Sequence, residues 1–599
     1  MVIGGPGPET SPMLDCPGGS AHKEGKTGRE QSVRKILIVS IAALCVLGIS
    51  IVASGVTGYY IHKWHLAPIY PLAERAEVKL RRELGLKTDT ELAVERIDTI
   101  FLSLKGRVFV MPNRTFQNGG GMTVWGDDLI VMHKTGKVLW LARDEKGGLQ
   151  LSPMQLPDNG YDGYVKLAAE KYPGRVTRED ALRYNDIEYV DVPGRRGLIL
   201  SYTFVDVEHE CYRSRVSWLT LPPEVKTIRD LHSKPEDWEI VFDSKPCLEF
   251  NPTRELMLAY MAGGRVAFKA PNLVYTGVGD YHREGIYRPD SGIQSDDSDY
   301  GKVIEINLDT KTSRHISKGH RNLQGITFDN EGRLWTTEHG MRGGDELNLI
   351  EEGENYGWPI ENMGTMYNGV AIDGPSGKGR HTIYHPPVFA WVPSAAISSI
   401  TVVKGFDETW DGDLLITSLK ARTLFRARIQ DNRLISLEPI PIGQRIRDVQ
   451  MWGDDRIALW LDLNEVVILE KIERKDPLAG LDAQLVSDGM PQEQASTAIK
   501  TLGGCQECHS YESDVVGAGP SLAGVVGREV ASTAFDNYTD ALRKLGGEWT
   551  PERLASFLTT PESMAPGTAM TGHGVGNADL ARDLVRALAL IKYNPEYAQ

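Results

Sequence analysis

Hydrophobic positions between residues 97 and 472 form short strand-like runs separated by turn signals such as Asn-Gly, Asp-Gly and Gly-Gly. Helical periodicity is rare in this part of the chain. The clearest strand-like runs are 129–131, 138–141, 198–204, 238–242, 303–307, 334–337, 414–417 and 466–469. So many short strands in succession favour a β-propeller over a sandwich, and we predict a mainly β domain over 98–474.

The pattern becomes helical near the C-terminus. Thr550 followed by Pro551 is a typical helix start, with Thr as N-cap and Pro in the first turn. After Asn577, leucines recur every fourth position, as in a helix with one apolar face. We therefore predict an all-α domain over 494–599. The segment before it, 475–493, contains Pro, Gly, Asp and Gln, and we predict a flexible linker there.

A third pattern, an uncharged apolar run at 36–58, lies near the N-terminus. As a helix it would be about 34 Å long, enough to cross a hydrocarbon core of roughly 30 Å. The basic residues before it are Lys23, Lys26, Arg29, Arg34 and Lys35. This excess of positive charge predicts a transmembrane helix with its N-terminus in the cytoplasm. The alternative is a cleaved signal peptide, because Ala53-Ser54-Gly55 is an acceptable cleavage site. We predict a disordered tail over 1–35 and a helical juxtamembrane segment over 59–97.

Composition limits the range of functions. With 599 residues, 41% of them hydrophobic, the chain is long enough for more than one globular domain. Its net charge of −15 argues against nucleic acid as a partner. Among the six cysteines, Cys211 and Cys247 both fall in the predicted β domain. They could form a disulfide in an oxidising compartment or remain two buried thiols, and the sequence leaves both readings open.

One short motif carries specific chemistry: Cys505-Gln-Glu-Cys508-His509. Two thiols three residues apart can each form a thioether with a porphyrin edge, and the adjacent imidazole can bind the iron. The motif therefore predicts one covalently bound haem c. The alternative is a zinc or redox Cys pair that happens to precede a histidine.

The sequence around this motif resembles the class I cytochromes c from residue 496 to 593. The resemblance rests on the haem motif, on GPSL at 519–522 and on PGTAM at 566–570. It implies that His509 and Met570 are the two axial ligands of the haem iron, with Met564 as a rival to Met570. Because this family acquires its haem outside the bacterial cytoplasm, the resemblance implies a single-pass inner-membrane protein with its bulk in the periplasm.

A second resemblance covers part of the β domain. The motifs are GHRNLQG at 319–325, EHG at 338–340, GGDELN at 343–348 and NYGWP at 355–359. They resemble the glucose/sorbosone dehydrogenases, six-bladed β-propellers that bind pyrroloquinoline quinone (PQQ) together with calcium. The match weakens after these motifs and is faint before Gly263.

This resemblance implies a set of cofactor-binding residues. The residues for PQQ would be Arg321, Asn322, Lys420, Arg445 and Arg447. Main-chain oxygens of Gly340 and Met341 would bind one calcium ion, and Asp345 and Tyr356 would belong to a second calcium site. Fixed cations suit a planar quinone that carries three carboxylates.

The chain departs from the family at the catalytic base. The family has a His in a His-x-Gly-Gly-Arg-like segment, whereas this chain has Met261 at that position. A thioether cannot accept a hydroxyl proton at neutral pH. His339, His282 and His320 are the candidates for a substitute base.

Two functions follow from these features. The first is a membrane-anchored quinohaemoprotein that oxidises a small neutral sugar, aldehyde or alcohol with PQQ and passes electrons through haem c to a respiratory acceptor. The second is a degenerate, non-catalytic propeller that acts as a binding scaffold on a cytochrome c electron carrier. The cationic residues favour the first function and Met261 favours the second.

Overall fold

The computed structural model describes residues 96–592 except 112–118, 174–181, 252–255, 258, 287–291, 463–464, 473–475 and 513–516. The predicted tail, transmembrane helix and almost all of the juxtamembrane segment lie outside these residues. In the described part of the chain, no helix has the length and apolar character needed to cross a membrane. This finding contradicts the predicted single-pass location in the inner membrane.

The propeller prediction is confirmed by six sheets, whose strands contain all eight predicted runs in whole or in large part. In chain order the strands are β1 (Ile97–Asp98), β2 (Ser103–Val110), β3 (Gly120–Trp125), β4 (Asp128–His133), β5 (Val138–Ala142), β6 (Gln150–Leu151), β7 (Tyr184–Val192), β8 (Arg195–Asp206), β9 (Cys211–Thr220), β10 (Glu239–Asp243), β11 (Leu248–Glu249), β12 (Gly263–Lys269), β13 (Leu273–Val278), β14 (Lys302–Asn307), β15 (Ser313–Lys318), β16 (Leu323–Phe328), β17 (Leu334–Glu338), β18 (Asp345–Ile350), β19 (Phe389–Trp391), β20 (Ile397–Val402), β21 (Leu414–Ser418), β22 (Thr423–Gln430), β23 (Arg433–Pro441), β24 (Ile446–Met451), β25 (Arg456–Leu461) and β26 (Glu465–Lys471).

The sheets are arranged as blades around one axis. Five are built from consecutive strands: β3–β6, β7–β10 with β11 beside β9, β12–β15, β16–β19 and β20–β23. The sixth has the order β24-β25-β26-β2-β1, so strands from the two ends of the domain complete it together. The innermost strands β3, β7, β12, β16, β20 and β24 contact one another in a closed ring.

Strand β4 shows why these runs are so apolar. Ile130 and Met132 pack with Leu198 of the following blade, whereas Leu129 and Val131 pack in the core on the other side of the sheet. Both faces of the strand are therefore buried, and alternation of polar and apolar residues disappears.

An ion network joins the innermost strands at the axis. Arg265 Nη1 on β12 lies 3.0 Å from Asp186 Oδ1 on β7 and 2.7 Å from Asp448 Oδ2 on β24. Arg265 Nε donates to the main-chain oxygen of Gln324 on β16 at 3.2 Å. Four blades thus meet at one guanidinium.

Asp448 extends this network to the two remaining blades. Its Oδ2 accepts from the main-chain nitrogen of Met122 on β3 at 2.8 Å. Its Oδ1 accepts from Ser399 Oγ on β20 at 2.7 Å. Hydrogen bonds therefore connect all six innermost strands through two side chains.

The structure resolves the open question about the cysteines of the propeller. Cys211, the first residue of β9, forms a disulfide with Cys247, 36 residues further along the chain. The bond ties the outer part of the second blade to the segment that precedes β11.

The chain divides into two compact units, one built on Gly106–Leu469 and one on Glu470–Gln599 with Asp98–Lys105. The described helices are α1 (Tyr161–Lys171) in the first unit and α2 (Leu481–Ser487), α3 (Gln492–Cys505), α4 (Asp540–Leu545), α5 (Pro551–Thr559), α6 (Pro561–Met564) and α7 (Ala578–Leu590) in the second. The predicted caps are confirmed: Thr550 Oγ1 accepts from the main chain of Arg553, and Asn577 Oδ1 accepts from that of Leu580.

Residues 476–493, the described part of the predicted flexible linker over 475–493, differ from that prediction. They contain α2, and Leu478, Leu485 and Met490 are buried in the core of the helical unit. These apolar side chains make the stretch part of that core, despite the Pro and Gly residues around them.

Candidate functional site

A cavity of about 180 Å³ lies at one end of the propeller axis. It is lined at, or directly before, the start of the innermost strands by Gly120, Asn185, Gly263, Asn322, Ser398 and Arg447. Each blade therefore contributes to one site, although the residues are far apart in the sequence.

The structure brings some of the predicted PQQ residues to this cavity and leaves others outside it. Asn322 and Arg447 line it, whereas Arg445 does not and Lys420 is exposed. Arg445 Nε and Arg447 Nη2 lie 2.6 and 3.2 Å from the same carboxylate oxygen of Asp462. Arg447 is only 18% exposed and is paired with Asp462, so it is not a solvated residue on a strand edge.

Asp462 leaves this arginine pair with a net positive charge. Burial raises the pKa of Asp462, but Arg447 and Arg445 outweigh burial and hold the pKa below its ordinary value. Asp462 is thus ionised at neutral pH and balances only one of the two guanidinium groups. The remaining charge suits an anionic ligand at this end of the cavity.

Arg321 precedes the cavity-lining Asn322 in the chain but does not itself line the cavity, and it is only 3% exposed. Its Nη1 donates to the main-chain oxygens of Gly340 at 2.5 Å and His339 at 2.9 Å. The guanidinium also lies over the Trp358 ring, 5.4 Å from its centroid. In this arrangement the Gly340 oxygen, predicted to bind calcium, already accepts from a cationic group.

The other predicted calcium residues are also engaged. Both carboxylate oxygens of Asp345 accept hydrogen bonds, from Ser394 Oγ and from the main chain of Ala396, each at 2.6 Å. The main-chain oxygen of Tyr356 accepts from His381 Nε2 at 3.0 Å. The side chain of Met341 is buried in the hydrophobic core. These residues do not form an open calcium site as they stand.

Two of the three candidate bases lie away from the cavity. His320 is fully buried, and its ring nitrogens contact Glu338 at 3.0 Å and Ser317 at 2.8 Å. The ring of His282 packs edge-on against Tyr260, with centroids 6.4 Å apart. Neither side chain lines the cavity, so neither is placed to act on a ligand there.

His339 does line the cavity, and its buried Nε2 has no hydrogen-bond partner. Burial lowers the pKa of His339 to about 4; Arg321 and Arg447 act in the same direction, whereas Asp345 and the main chain of Ile397 oppose them. The neutral ring accepts at Nδ1 from the Asn322 amide nitrogen, 3.4 Å away, so its proton is on Nε2. His339 therefore presents a hydrogen-bond donor rather than a base.

Met261, at the family's base position, also lines the cavity. Its backbone has a φ of +56°, in the left-handed region. The thioether adds apolar surface to the cavity wall. The side chains that line the cavity therefore include neither a carboxylate nor an imidazole with a free acceptor nitrogen.

Sequence reasoning missed Asn185, which lies at the start of β7 where the resemblance is faint. Its side chain is buried, and its amide nitrogen lines the cavity without a hydrogen-bond partner. Gly264 makes this position possible, since a Cβ there would lie 2.6 Å from that amide nitrogen. Unpaired donors on Asn185 and His339, together with the cations, fit an oxygen-rich anion such as PQQ.

The haem motif lies at the end of α3 in the helical unit. Cys505 and Cys508 are free thiols, the first half-buried and the second exposed. Cys508 and His509 line a cavity of about 500 Å³ together with Tyr511. Cys508 thus lies beside the imidazole at this cavity, and Cys505 is the last residue of α3, three positions before it, which fits a covalently held haem.

The ring of His509 is held for ligation of a metal. Its Nδ1 donates to the main-chain oxygen of Pro520 at 2.8 Å, which leaves the lone pair on Nε2. A Cβ at Gly519 would lie 2.4 Å from the imidazole, so glycine leaves room for the ring. Met564 and Met570 are both half-buried against the helical core.

Comparisons with known proteins support both resemblances, to the glucose/sorbosone dehydrogenases and to the cytochromes c. The family model for glucose/sorbosone dehydrogenases matches residues 224–469. An uncharacterized protein of Synechocystis sp. is 30% identical over 259 residues, which cover 39% of this chain and 59% of that protein. The aldose sugar dehydrogenase YliI of Escherichia coli is 29% identical over 247 residues, 38% of this chain and 62% of its own length. The chain thus spans about 60% of the length of these relatives.

The helical unit has relatives of its own. Cytochrome c2 iso-2 of Magnetospirillum fulvum is 40% identical over 85 residues, which cover 14% of this chain and 88% of the cytochrome.

Proposed function

Because this chain belongs to the cytochrome c family through its C-terminal domain and carries a glucose/sorbosone dehydrogenase-type propeller, we propose that it oxidises a sugar-type donor with PQQ and passes the electrons to haem c. The observation that carries the proposal is the convergence of Asn322, His339 and Arg447 at one axial cavity. A family likeness alone would not carry an activity to this chain.

The propeller residues would bind and orient the reactants. Arg447, balanced by Asp462 only in part, would hold a carboxylate of the cofactor. Asn322 and the Nε2–H of His339 would donate to oxygens of the bound molecules. Bound PQQ would supply the two-electron acceptor. With Met261 at the base position, we expect the donor's hydroxyl proton to pass to water in the cavity, and we expect turnover to be slow.

The helical unit would serve as the one-electron carrier. Cys505 and Cys508 would attach the haem, and His509 Nε2 would bind the iron opposite a methionine, Met570 by preference over Met564. A His/Met pair suits electron transfer rather than substrate binding. A respiratory electron acceptor would then receive the electrons.

Met261 supports a second candidate function, in which the propeller binds its ligand without turning over a substrate. In that case the cytochrome c domain would be the redox-active part, and the cavity would serve recognition. The two candidates differ in whether a donor reduces the haem.

The test is reduction of the haem in the full chain after reconstitution with PQQ and addition of an aldose, followed by haem absorbance. We expect reduction that requires both PQQ and the aldose and that disappears in Cys505→Ser/Cys508→Ser. If PQQ binds but the haem stays oxidised, the propeller is not catalytic and the second candidate, a binding scaffold, is supported. If the chain does not bind PQQ, neither candidate function can involve PQQ.

A further inference from the structure

The cavity beside the haem motif has an acidic rim. Asp476, Glu507 and Glu512 line it together with Cys508 and His509, and among the described residues no Lys or Arg lines it. Glu507 lies between the two cysteines of the motif, and both Glu507 and Cys508 are exposed. The negative charge is therefore placed where the haem-binding thiol reaches solvent.

The charge of this rim is not taken up by neighbouring groups. Within the part of the chain that the structure describes, neither Asp476 nor Glu507 forms an ion pair. No three acidic, His or Cys side chains of these residues are placed to hold one metal ion together. The rim carboxylates therefore do not converge on one point, and their charge is spread over the opening of the cavity.

Two of the rim positions are fixed by hydrogen bonds. Asp476 Oδ1 accepts from the main-chain nitrogen of Leu478 at 2.9 Å, and Leu478 is buried in the helical core. The main chain of Glu512 is held on both sides, since its nitrogen donates to Ser510 Oγ at 3.0 Å and its oxygen accepts from Ser521 Oγ at 2.6 Å. These charges thus have settled positions before a partner arrives.

The surrounding sequence adds to the negative charge. Residues 476–599 contain 16 acidic and 8 basic side chains, so about half of the net charge of −15 falls in about a fifth of the chain. A surface of one sign attracts partners of the opposite sign and raises their rate of association by roughly 10–10³-fold. A molecule that approaches the exposed Cys508 has to enter this field.

We propose that electrons leave the haem at this acidic rim, to a protein that presents Lys and Arg side chains around its own one-electron centre. The inference rests on the proposed function and names the class of the acceptor. One electron would pass from the ferrous haem iron to the oxidised centre of the partner, with no proton transferred and no bond formed. An acceptor with an acidic face would be repelled at the same rim.

The test is oxidation of the reduced haem in the full chain by two inorganic probes, followed by stopped-flow absorbance. The probes are tris(phenanthroline)cobalt(III), a trivalent cation, and ferricyanide, a trivalent anion. We expect the rate with the cobalt complex to fall by at least about fivefold between about 0.01 and 0.15 M salt, because the Debye length shortens from about 30 to about 8 Å. The rate with ferricyanide should rise over the same range. Salt responses of equal or opposite sign to these would overturn the inference, whereas absence of covalent haem would overturn the proposed function.

Matched variants locate the charge on the rim. Glu507→Gln should slow oxidation by the cobalt complex at low salt by about three- to tenfold, since a trivalent probe at the cavity would come within roughly 8 Å of this carboxylate. Glu493→Gln makes the same change in net charge about 18 Å further back along α3 from Cys505, and should change the rate by no more than about twofold. Glu507→Gln should also raise the midpoint potential of the haem, a readout that needs no acceptor. Equal rates in the two variants would contradict the inference.

Discussion

Nη1 of Arg265 lies 2.7 Å from Oδ2 of Asp448, although 183 residues separate the two along the chain. The same nitrogen contacts Asp186, and both carboxylates are buried. One guanidinium therefore contacts two buried carboxyl groups at the point where the innermost strands meet, and burial raises the pKa of one of them, Asp186, to about 7.

Replacing Arg265 should destabilise the propeller severely. Arg265→Met leaves Asp186 and Asp448 buried without their cation, and we expect the free energy of unfolding to fall by about 3–5 kcal/mol. Urea unfolding followed by tryptophan fluorescence measures this change. The control is Arg314→Met, whose side chain is 49% exposed beside Glu305, with an expected loss of about 0–1 kcal/mol. Equal losses in the two variants would contradict the prediction.

Met261→His should increase turnover. The position lines the cavity and has a left-handed backbone that histidine adopts more readily than most residues. A positioned base contributes about 10²–10⁴-fold, so we expect aldose-driven haem reduction to accelerate by at least about tenfold. Met261→Gln, which is polar but not basic, should not accelerate it. Stopped-flow absorbance of the haem gives both rates, and equal rates would show that position 261 does not reach the substrate.

The stability of the propeller should decline as pH rises toward 8 because of Glu188. Burial, followed by the charge of Asp186, raises the pKa of this half-buried glutamate from 4.5 to about 8. The unfolded chain loses this proton at lower pH than the folded chain. The free energy of unfolding therefore falls as pH rises from the unfolded-state pKa of Glu188 to its folded-state pKa. Glu188→Gln should remove the decline and raise Tm relative to the wild type by about 2 °C at pH 8 but not at pH 4.

Calorimetry across pH tests this prediction, with Glu210→Gln as the control. Lys171 lowers the pKa of Glu210, so its contribution to stability is present above the unfolded value of 4.5 and is lost at lower pH. This variant should therefore gain nothing at pH 8. If the Tm of Glu210→Gln at pH 8 rises as much as that of Glu188→Gln, the effect comes from the change in net charge and not from the burial of Glu188.

Loss of the disulfide should destabilise the second blade. Cys211→Ser with Cys247→Ser opens a loop of 36 residues, and chain entropy predicts a loss of about 3–4 kcal/mol. Thermal unfolding with and without a reductant measures it. The wild type should fall to the Tm of the variant when reduced, while the variant should not respond.

Met570→Ala should remove the near-infrared sulfur-to-iron absorption of the oxidised haem and leave the haem covalently attached. The turn that carries Met570 is held by Glu562, which accepts from Gly567 at 3.0 Å and from the hydroxyl of Thr571. Met564→Ala is the matched control and should keep the band. The reverse result would identify Met564 as the ligand.

The sequence predicted the blades well because strands buried on both faces, such as β4, leave continuous apolar runs. It predicted the caps at Thr550 and Asn577 because capping depends on local geometry. The contacts of Arg321 could not be predicted, since a sequence does not show where a long side chain points. The sequence did not indicate Asn185 as a site residue, because its neighbours in the cavity come from other blades.

The sixth blade can form only late in the synthesis of this protein, because its strands come from both ends of the propeller domain. Strand β2 begins at Ser103, but β26, beside which it lies, begins at Glu465, 362 residues later (465 − 103). A ribosome that adds about 5–20 residues per second needs roughly 20–70 s to cover that distance. Throughout this interval the edge of β2 that faces away from β1 has no partner strand, and the ring cannot close. A chaperone that shields an unpaired strand should therefore raise the yield of this chain more than that of a propeller whose blades each come from one stretch of sequence.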